Sequence, residues 1–215
     1  RNEVMRKKIL FIFNPRSGKG LIKNKLFDII DVFVKGDYEV IVHPTQGPMD
    51  GCNRAKAMAK EVDLVVCCGG DGTLDEVVSG LMQSGAHVPI GYIPAGSTND
   101  FANSLEIPKD MVAAARNIIE GKQYSFDVGA FNEETFVYIA AFGMFTDVSY
   151  QTNQDLKNVL GHVAYLMEGA KKILDFKKYR MKVEANGKVY EGDYIYGMIT
   201  NSHSVGGFKN LAGKN

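Results

Sequence analysis

The most constraining feature of this chain is a glycine-rich turn between a strand-like run and a helix-like run. The turn is Gly69-Gly70-Asp71-Gly72-Thr73; it follows the apolar run Leu64–Cys68 and precedes a helical pattern that begins at Leu74. Glycines let backbone N–H groups approach a ligand closely, and a helix N-terminus adds partial positive charge. The segment therefore predicts a phosphate-binding turn, and its central carboxylate indicates a metal ion or a proton transfer at the phosphate.

Strand-like and helix-like runs alternate through the first 120 residues. The hydrophobic spacing predicts strands at residues 9–13, 38–42, 64–68 and 89–93, and helices at 21–34, 53–60, 74–82 and 111–119. Such alternation predicts an α/β fold with a doubly wound parallel sheet and helices on both faces. In sheets of this kind, ligands bind at the carboxyl ends of the strands.

After Gly121 the pattern changes to a succession of strands. Strands are predicted at residues 125–128, 135–142, 180–185, 188–190 and 194–200, with one helix near 157–174. Asn186-Gly187 between two of these runs predicts a tight hairpin. We therefore expect an α/β domain at residues 1–123 and a second, mainly antiparallel β domain at residues 124–215.

Composition excludes several classes of protein. The formal net charge is +0, which gives no support to non-specific nucleic-acid binding. The three cysteines, Cys52, Cys67 and Cys68, have neither a disulfide nor a zinc-site spacing, which favours a reducing, cytoplasmic location. No apolar stretch approaches the ~18 residues that a membrane-spanning helix needs.

Three polar clusters follow predicted strands of the first domain: Asn14–Gly20, Gly69–Thr73 and Pro94–Asp100. Each alone is equally well read as a simple turn, but three at one edge of a sheet predict a binding site. None is a standard nucleotide motif. Gly20 follows Lys19 where a P-loop needs Ser or Thr, and Asp75 stands where the dinucleotide pattern needs its third glycine.

Taken together, the clusters resemble the diacylglycerol kinase catalytic family, in particular its soluble bacterial members. The matching residues are Asn14-Pro15-x-Ser17-Gly18, Gly69-Gly70-Asp71-Gly72-Thr73-Leu74-x-Glu76-Val77 and Pro94-x-Gly96-Ser97-x-Asn99-Asp100-Phe101. Further similarity lies in Phe126–Gly129, Val148–Tyr150, Gly161–Tyr165 and Thr200–Ser202. The glycine-aspartate turn alone is shared with NAD kinases and, more loosely, with phosphofructokinases, whose sheet domain the first half resembles.

The resemblance implies an ATP-dependent lipid kinase with ATP and Mg²⁺ as cofactors. ATP would bind between the two domains, and the acyl chains of a membrane-derived diacylglycerol would enter from the second. By position, the resemblance assigns ATP binding to Asn14, Pro15, Arg16, Ser17, Gly18, Thr45, Gly69, Gly70, Asp71, Gly72, Thr73, Leu74, Asp75 and Ser97. It also implies a homodimer.

The residue types suit phosphoryl transfer, which depends on positioning and on charge stabilisation. Backbone N–H groups of Gly70, Gly72 and Thr73 would hold phosphate oxygens, and Asp71, the candidate catalytic residue, would bind Mg²⁺ or orient the acceptor hydroxyl. Other charged residues have two possible roles each. Arg16 and Lys19 either neutralise phosphate charge or are solvated, and Asp100 either joins the site or N-caps a helix. Asp75 and Glu76 either act at the site or complement the helix dipole in its first turn. The cations Lys171, Lys172, Lys177, Lys178 and Arg180 form a solvated face or a peripheral contact with the inner face of an anionic membrane.

One departure from the family concerns the last residues, Leu211–Asn215. In the family, the matching region continues into a Leu-Asp-Asp-Gly-like segment and further strands, which carry a structural Mg²⁺ site and the carboxylate regarded as the general base. A chain ending at residue 215 would be expected to have an incomplete β domain and little or no kinase activity. The sequence leaves open other lipid acceptors such as sphingoid bases or ceramide, an NAD kinase-like small-molecule kinase, and a non-catalytic nucleotide-binding module.

Overall fold

The first part of the chain alternates strands and helices as the sequence predicts. A computed structural model describes residues 6–123, 125–132, 134–143, 178–201, 204–205 and 208–209. All eight elements expected up to residue 120 are present, together with a short additional helix, α4. In chain order they are β1 (Lys7–Phe13), α1 (Ile22–Lys35), β2 (Tyr38–Pro44), α2 (Asp50–Met58), β3 (Leu64–Gly69), α3 (Asp71–Ser84), β4 (Ile90–Pro94), α4 (Asp100–Ser104) and α5 (Met111–Glu120).

The four strands form one parallel sheet in the order β2-β1-β3-β4. The predicted doubly wound parallel sheet is therefore confirmed. From β1 the chain first moves outward to β2 and then returns to β3 on the other side, so the strand order reverses between β1 and β3. This reversal leaves a crevice at the carboxyl ends of these two strands, where ligands of such sheets bind.

Two apolar clusters, one on each face of the sheet, hold the helices in place. Alternate residues of β1 point to opposite faces: Phe11 packs in the cluster that includes α1 and α5, whereas Leu10 and Ile12 pack in the cluster that includes α2 and α3. Every residue of β3 is buried. Burial on both faces explains why this strand is continuously apolar instead of alternating.

The two helices on the second face pack closely. Gly80 of α3 lies against the backbone of Cys52 in α2, where a Cβ atom would overlap the Cys52 carbonyl oxygen and come within 3.0 Å of Ala55 Cβ. Gly85, in the left-handed conformation (φ 66°), ends α3. The close approach at Gly80 fixes the position of α3, whose first turn faces the crevice.

The described residues of the second part form antiparallel strand pairs, which confirms the predicted change of class. The strands are β5 (Gly129–Phe131), β6 (Glu134–Phe136), β7 (Ile139–Gly143), β8 (Tyr179–Ala185), β9 (Lys188–Tyr194), β10 (Tyr196–Thr200), β11 (Ser204–Val205) and β12 (Phe208–Lys209), paired β5–β6, β7–β10, β8–β9 and β11–β12. Asn186 and Gly187 form the predicted hairpin turn with φ values of 51° and 74°.

Two strand predictions in this part are wrong. Residues 125–128 form no strand, because Phe126 instead packs on Phe101 in a tilted arrangement (ring centroids 5.1 Å apart) and the Asp127 carbonyl accepts from the Asn201 side chain. The strand expected over 135–142 is divided into β6 and β7, because the Val137 N–H donates to a side chain, that of Asp75. The helix expected near 157–174 lies outside the described residues.

The described residues form two compact units. One contains the residues up to Tyr138 and those from Asn201 onward, and the other runs from Ile139 to Thr200. The domain boundary expected near residue 124 stays a prediction. No helix in the described part of the chain is long and apolar enough to cross a membrane.

The Gly80 contact gives a test of this packing. Helix propensity alone predicts that Gly80→Ala stabilises the protein by about 1 kcal/mol. Because the new methyl group would overlap the α2 backbone, we expect the free energy of unfolding to fall instead, by roughly 2 kcal/mol. Urea unfolding measures the change, with Gly47→Ala as the control because no atom lies within 4 Å of a Cβ at that loop position. A stabilised Gly80→Ala protein would contradict the packing described here.

Candidate functional site

The structure brings the three polar clusters together at the carboxyl edge of the sheet. The Asn14 N–H donates to the Cys68 carbonyl (2.9 Å), which joins the first cluster to the end of β3. The Gly70 N–H donates to Ser17 Oγ (3.0 Å), and the Ala95 N–H donates to the Gly69 carbonyl (2.8 Å). The second cluster therefore lies between the other two and is bonded to both.

The second and third clusters touch backbone to backbone. A Cβ atom on Gly96 would lie 2.6 Å from Gly70 Cα and 2.8 Å from Asn99 Oδ1, so only glycine fits. Asn99 holds the Gly96 peptide from both sides, accepting from its N–H (2.7 Å) and donating to its carbonyl (2.8 Å). Gly18 of the first cluster lies against the Ala95 carbonyl. The three loops thus form one close-packed backbone surface.

The glycine-aspartate segment is more helical than predicted. Helix α3 begins at Asp71, not at Leu74, so Gly72 and Thr73 form part of its first turn and Gly70 is the N-cap residue. The Leu74 N–H closes that turn on the Gly70 carbonyl (3.1 Å). First-turn amides have no acceptor within a helix, so those of residues 71–73 form a place for phosphate oxygens. The Gly70 amide, also predicted to hold phosphate, is instead engaged by Ser17.

The Asp71 carboxylate joins two helices. Its Oδ2 accepts from the Asp100 N–H (3.1 Å) and its Oδ1 accepts from the Phe101 N–H (3.2 Å), the first amides of α4. Burial raises the pKa of Asp71, and the two backbone hydrogen bonds oppose that shift. Asp71 therefore serves α4 as an N-terminal acceptor supplied by another helix, which fixes the orientation of its carboxylate. Its predicted role toward Mg²⁺ or the acceptor hydroxyl stays a prediction.

Asp100 does not N-cap a helix, which corrects one of its two readings. Asn99 holds the N-cap position in a left-handed conformation (φ 52°), and Asp100 is the first helical residue. The Asp100 side chain is 1% exposed, and its Oδ2 accepts from the Tyr138 hydroxyl (2.8 Å). Asp71 accepts from the first amides of α4, and the Asp100 carboxylate binds Tyr138, which lies outside that helix.

Asp75 lies one turn further along α3 and contacts the following β segment. Its Oδ1 accepts from the Val137 N–H (2.8 Å). Burial raises the pKa of Asp75 to about 6; the Val137 hydrogen bond lowers it and the negative charge of Asp71 raises it further. Because α3 begins at Asp71, Asp75 and Glu76 lie beyond its first turn, so the expectation that they complement the helix dipole there is wrong.

The remaining residues assigned to ATP lie around these loops. Asn14 Nδ2 is 3.4 Å from Thr73 Oγ1, which links the first cluster to α3. Arg16 and Lys19 are exposed beside it, Pro15 is half-buried, and Ser97 is exposed in the third cluster. The assignment of Leu74 to ATP binding is corrected: Leu74 is 1% exposed in the core and its amide is bonded within α3, so it offers ATP no polar group.

Thr45 is placed at the same edge by the end of β2. Its N–H donates to the Phe13 carbonyl (2.9 Å), beside the first cluster. Asp50 orders this loop, because its Oδ2 accepts from the Gln46 N–H (2.8 Å) and lies 3.2 Å from His43 Nε2. The Gln46 hydrogen bond is the main cause of the lowered pKa of Asp50. The sequence singled out Thr45 but not the side chain that positions it.

Sequence reasoning missed two tyrosines at the site. The Tyr92 hydroxyl, on a side chain that is 6% exposed, donates to the Gly69 carbonyl (3.0 Å) at the end of β3. The Tyr138 hydroxyl binds Asp100. A polar tip within an otherwise apolar strand was the available signal for Tyr92, because a buried tyrosine hydroxyl usually has a partner.

The acidic residues bear on metal binding. Within the described ranges, no group of three or more His, Cys, Asp or Glu side chains is placed to hold a metal ion by itself. Mg²⁺ in phosphoryl-transfer sites is usually held by one or two carboxylates together with substrate phosphates. Asp71 and Asp75 lie one turn apart on α3 and repel each other enough to contribute to the raised pKa of Asp75. This pair fits an ion whose other ligands are phosphate oxygens.

The fold and the site together define a class of protein. A doubly wound sheet with a glycine-rich strand-to-helix turn at its switch point is typical of proteins that bind nucleotide phosphates. The model of the "Diacylglycerol kinase catalytic domain" family matches residues 8–131. The chain belongs to this family, which confirms the resemblance seen in its motifs.

Known relatives agree with that assignment. A diacylglycerol kinase of Bacillus subtilis (strain 168) is 36% identical over 208 residues, which cover 96% of this chain and 69% of the relative. One of Staphylococcus aureus (strain JH9) is also 36% identical over 208 residues, covering 96% of this chain and 66% of the relative. A diacylglycerol kinase crystal structure from Bacillus anthracis str. Sterne superposes with a TM-score of 0.75 at 26% identity, covering 96% of this chain and 68% of that one. The chain thus spans about two thirds of the length of these relatives.

The raised pKa of Asp75 predicts how stability depends on pH. Because the folded-state pKa is about 6 and the ordinary pKa of an aspartate is 3.8, the folded protein binds more protons between these values, and this group lowers stability as pH rises through that window. In Asp75→Asn the amide oxygen can still accept from Val137 while the buried charge is lost. We expect the variant to be more stable at pH 7.5 by roughly 1 to 3 kcal/mol, and the difference to shrink toward pH 4.

Urea unfolding of the two full-length proteins between pH 4 and pH 7.5 measures this difference. Asp28→Asn, at an exposed position on α1, controls for the general loss of one negative charge. An Asp75→Asn protein that is less stable than the parent at pH 7.5 would show that the ionised carboxylate stabilises the fold.

Proposed function

We propose that this chain contributes the ATP-binding unit of a lipid kinase that transfers the γ-phosphate of ATP to the hydroxyl group of diacylglycerol, giving phosphatidic acid. Membership of the diacylglycerol kinase catalytic family supports ATP use and a lipid acceptor. The observation that carries the proposal is the meeting of three loops at the switch point of the sheet, with the first turn of α3 at their centre. This arrangement suits a polyphosphate.

The chain's own groups would position the phosphates. The amides of residues 71–73 and the partial positive charge at the start of α3 would hold phosphate oxygens. Exposed Arg16 and Lys19, on the adjacent loop, would offset charge that develops during transfer. Thr45, Ser97 and Asn14 would contact the nucleotide around this cradle. Because phosphoryl transfer depends chiefly on positioning, the close packing of the loops is as important as the charges.

Asp71 and Asp75 are the carboxylates proposed to hold Mg²⁺ with the phosphates. The ion, when bound, would neutralise negative charge on the phosphate oxygens. The α4 amides would keep the Asp71 carboxylate in place, so its orientation would depend on α4. The general base and the structural Mg²⁺ site that the family resemblance implies are not assigned to residues of this chain.

The proposal also includes a cytoplasmic enzyme that contacts the inner membrane face, where its acceptor lipid resides, and a homodimer. Of the cations considered for membrane contact, Lys171, Lys172 and Lys177 lie outside the described residues. Arg180 is exposed on β8, but it pairs with Glu191 (3.0 Å) and Asp193 (3.6 Å) on β9, so much of its charge is neutralised locally. Membrane contact through Arg180 is therefore expected to be weak.

Transfer of labelled phosphate from ATP, with Mg²⁺ and a panel of lipids in mixed micelles, tests the function in the full-length protein. We expect labelled phosphatidic acid from diacylglycerol, and a loss of about a hundredfold or more in Asp71→Ala, because a preorganised charged group is removed from the site. Asp28→Ala, on the exposed face of α1, is the matched control. Circular dichroism and the melting temperature establish that Asp71→Ala is folded.

Other outcomes of the same assay would point to other functions. Transfer to sphingoid bases or ceramide instead of diacylglycerol would change the acceptor and keep the class. Transfer to NAD or another small molecule would indicate an NAD kinase-like enzyme. ATP binding without transfer to any acceptor would indicate a non-catalytic nucleotide-binding module.

A further inference from the structure

A four-residue segment, Thr135–Tyr138, lies across the two helices that border the phosphate site; we call it the strap. Thr135 Oγ1 and Ser79 Oγ share a hydrogen bond (2.7 Å) that fastens the strap to the middle of α3. The Val137 N–H donates to Asp75 on the same helix. The Tyr138 hydroxyl reaches Asp100 on α4. The strap thus bonds to the two helices through three of its residues, and only the last of them, Tyr138, contacts α4.

The Tyr138 contact leads directly to Asp71. Tyr138 donates to the Asp100 carboxylate (2.8 Å), and the backbone N–H of the same Asp100 donates to the Asp71 carboxylate (3.1 Å). Asp100 is 1% exposed, so its carboxylate depends on protein donors to replace the water it has lost. Removing the hydroxyl would leave that carboxylate short of one donor, and any shift of Asp100 would move an amide that orients Asp71.

The position of Tyr138 in the chain gives it a second constraint. It is the last residue of the first compact unit before the chain enters the second at Ile139, and Asn201 is the first residue after the chain returns. The Asn201 N–H donates to the Tyr138 carbonyl (2.9 Å), and the Asn201 side chain donates to the carbonyls of Asp127 and Val137. The backbone of Tyr138 is therefore held in place, so its side chain can act as a fixed donor toward α4.

We propose that Tyr138 is a positioning residue of the phosphoryl-transfer site, whose hydroxyl fixes Asp100 and, through it, the orientation of the Asp71 carboxylate. The proposal rests on the proposed kinase function. The hydrogen bond of Tyr138 is made to Asp100 of α4, so Tyr138 acts on Asp71 only through that helix. Its loss should therefore affect the rate of transfer more than the binding of either substrate, because a displaced carboxylate lowers the fraction of bound complexes with reactive geometry.

The test compares Tyr138→Phe with Thr135→Val in the full-length enzyme. Phenylalanine keeps the ring and removes the hydroxyl that binds Asp100, whereas valine removes the Thr135 hydroxyl that binds α3 and leaves the α4 contact intact. For Tyr138→Phe we expect kcat to fall about tenfold, with KM for ATP and for diacylglycerol within about twofold of the parent values. We expect both variants to have a lower melting temperature than the parent, by similar amounts. For Thr135→Val, however, we expect little change in kcat.

Each alternative result has a definite meaning. An equal fall of kcat in both variants would overturn the proposal, because general loosening of the strap would explain it. A parent enzyme that phosphorylates diacylglycerol, together with an unchanged kcat in Tyr138→Phe, would overturn the positioning role and leave the kinase function intact. A parent enzyme that phosphorylates no lipid would overturn both, since the positioning role would then have no reaction to serve. If Tyr138→Phe is too unstable to assay at 25 °C, both proteins are assayed at a lower temperature. A kcat equal to that of the parent at that temperature would also contradict the positioning role.

Discussion

The Asp71 carboxylate is the contact on which the geometry of the site depends. It lies at the point where buried strand β3 becomes helix α3, and it accepts the first two amides of α4. Burying a carboxylate is unfavourable, as its raised pKa shows, and two backbone hydrogen bonds offset part of that cost. These two hydrogen bonds serve both partners. They supply acceptors for amides that the start of a helix leaves unpaired, and they hold the Asp71 carboxylate in a single orientation.

Three carboxylates close to a polyanion site pose an electrostatic difficulty. Asp71, Asp75 and Asp100 each accept from a donor of the protein: amides of α4, the Val137 amide and the Tyr138 hydroxyl, respectively. These donors stabilise the charges without supplying a compensating positive charge, so a bound nucleotide would still meet negative potential. A divalent ion between the carboxylates and the phosphates, the α3 dipole, and the exposed cations Arg16 and Lys19 would resolve that conflict. Such a site would favour a nucleotide that arrives with its metal ion, in keeping with the magnesium role proposed above.

Sequence reasoning predicted the features that depend on local pattern and missed those that depend on distant partners. The period of the apolar residues gave every strand of the parallel sheet, and the rule that parallel strands end at one edge predicted that the three clusters meet. Helix α3 starts earlier than the sequence predicts, because Gly70-Asp71-Gly72 has the composition of a loop although the Leu74 N–H closes a first helical turn on the Gly70 carbonyl. The bond from Asp75 to Val137 spans 62 residues, and no spacing rule indicates such a pair. The same contact ended β6, so one missed partner also accounts for the wrong strand boundary.

The strap shows why these distant contacts matter for a transfer reaction. Residues 137 and 138 use a backbone amide, a backbone carbonyl and a side-chain hydroxyl to bind α3, residue 201 and α4, respectively. Directly after them, Ile139 pairs with Thr200 where the chain passes between its compact units. Hydrogen bonds to buried carboxylates are stronger than those between neutral groups, so the two that involve Asp75 and Asp100 are the ones most costly to break. Loss of either bond would remove a donor from a carboxylate beside the proposed phosphate site, so the strap contributes to the order of that site.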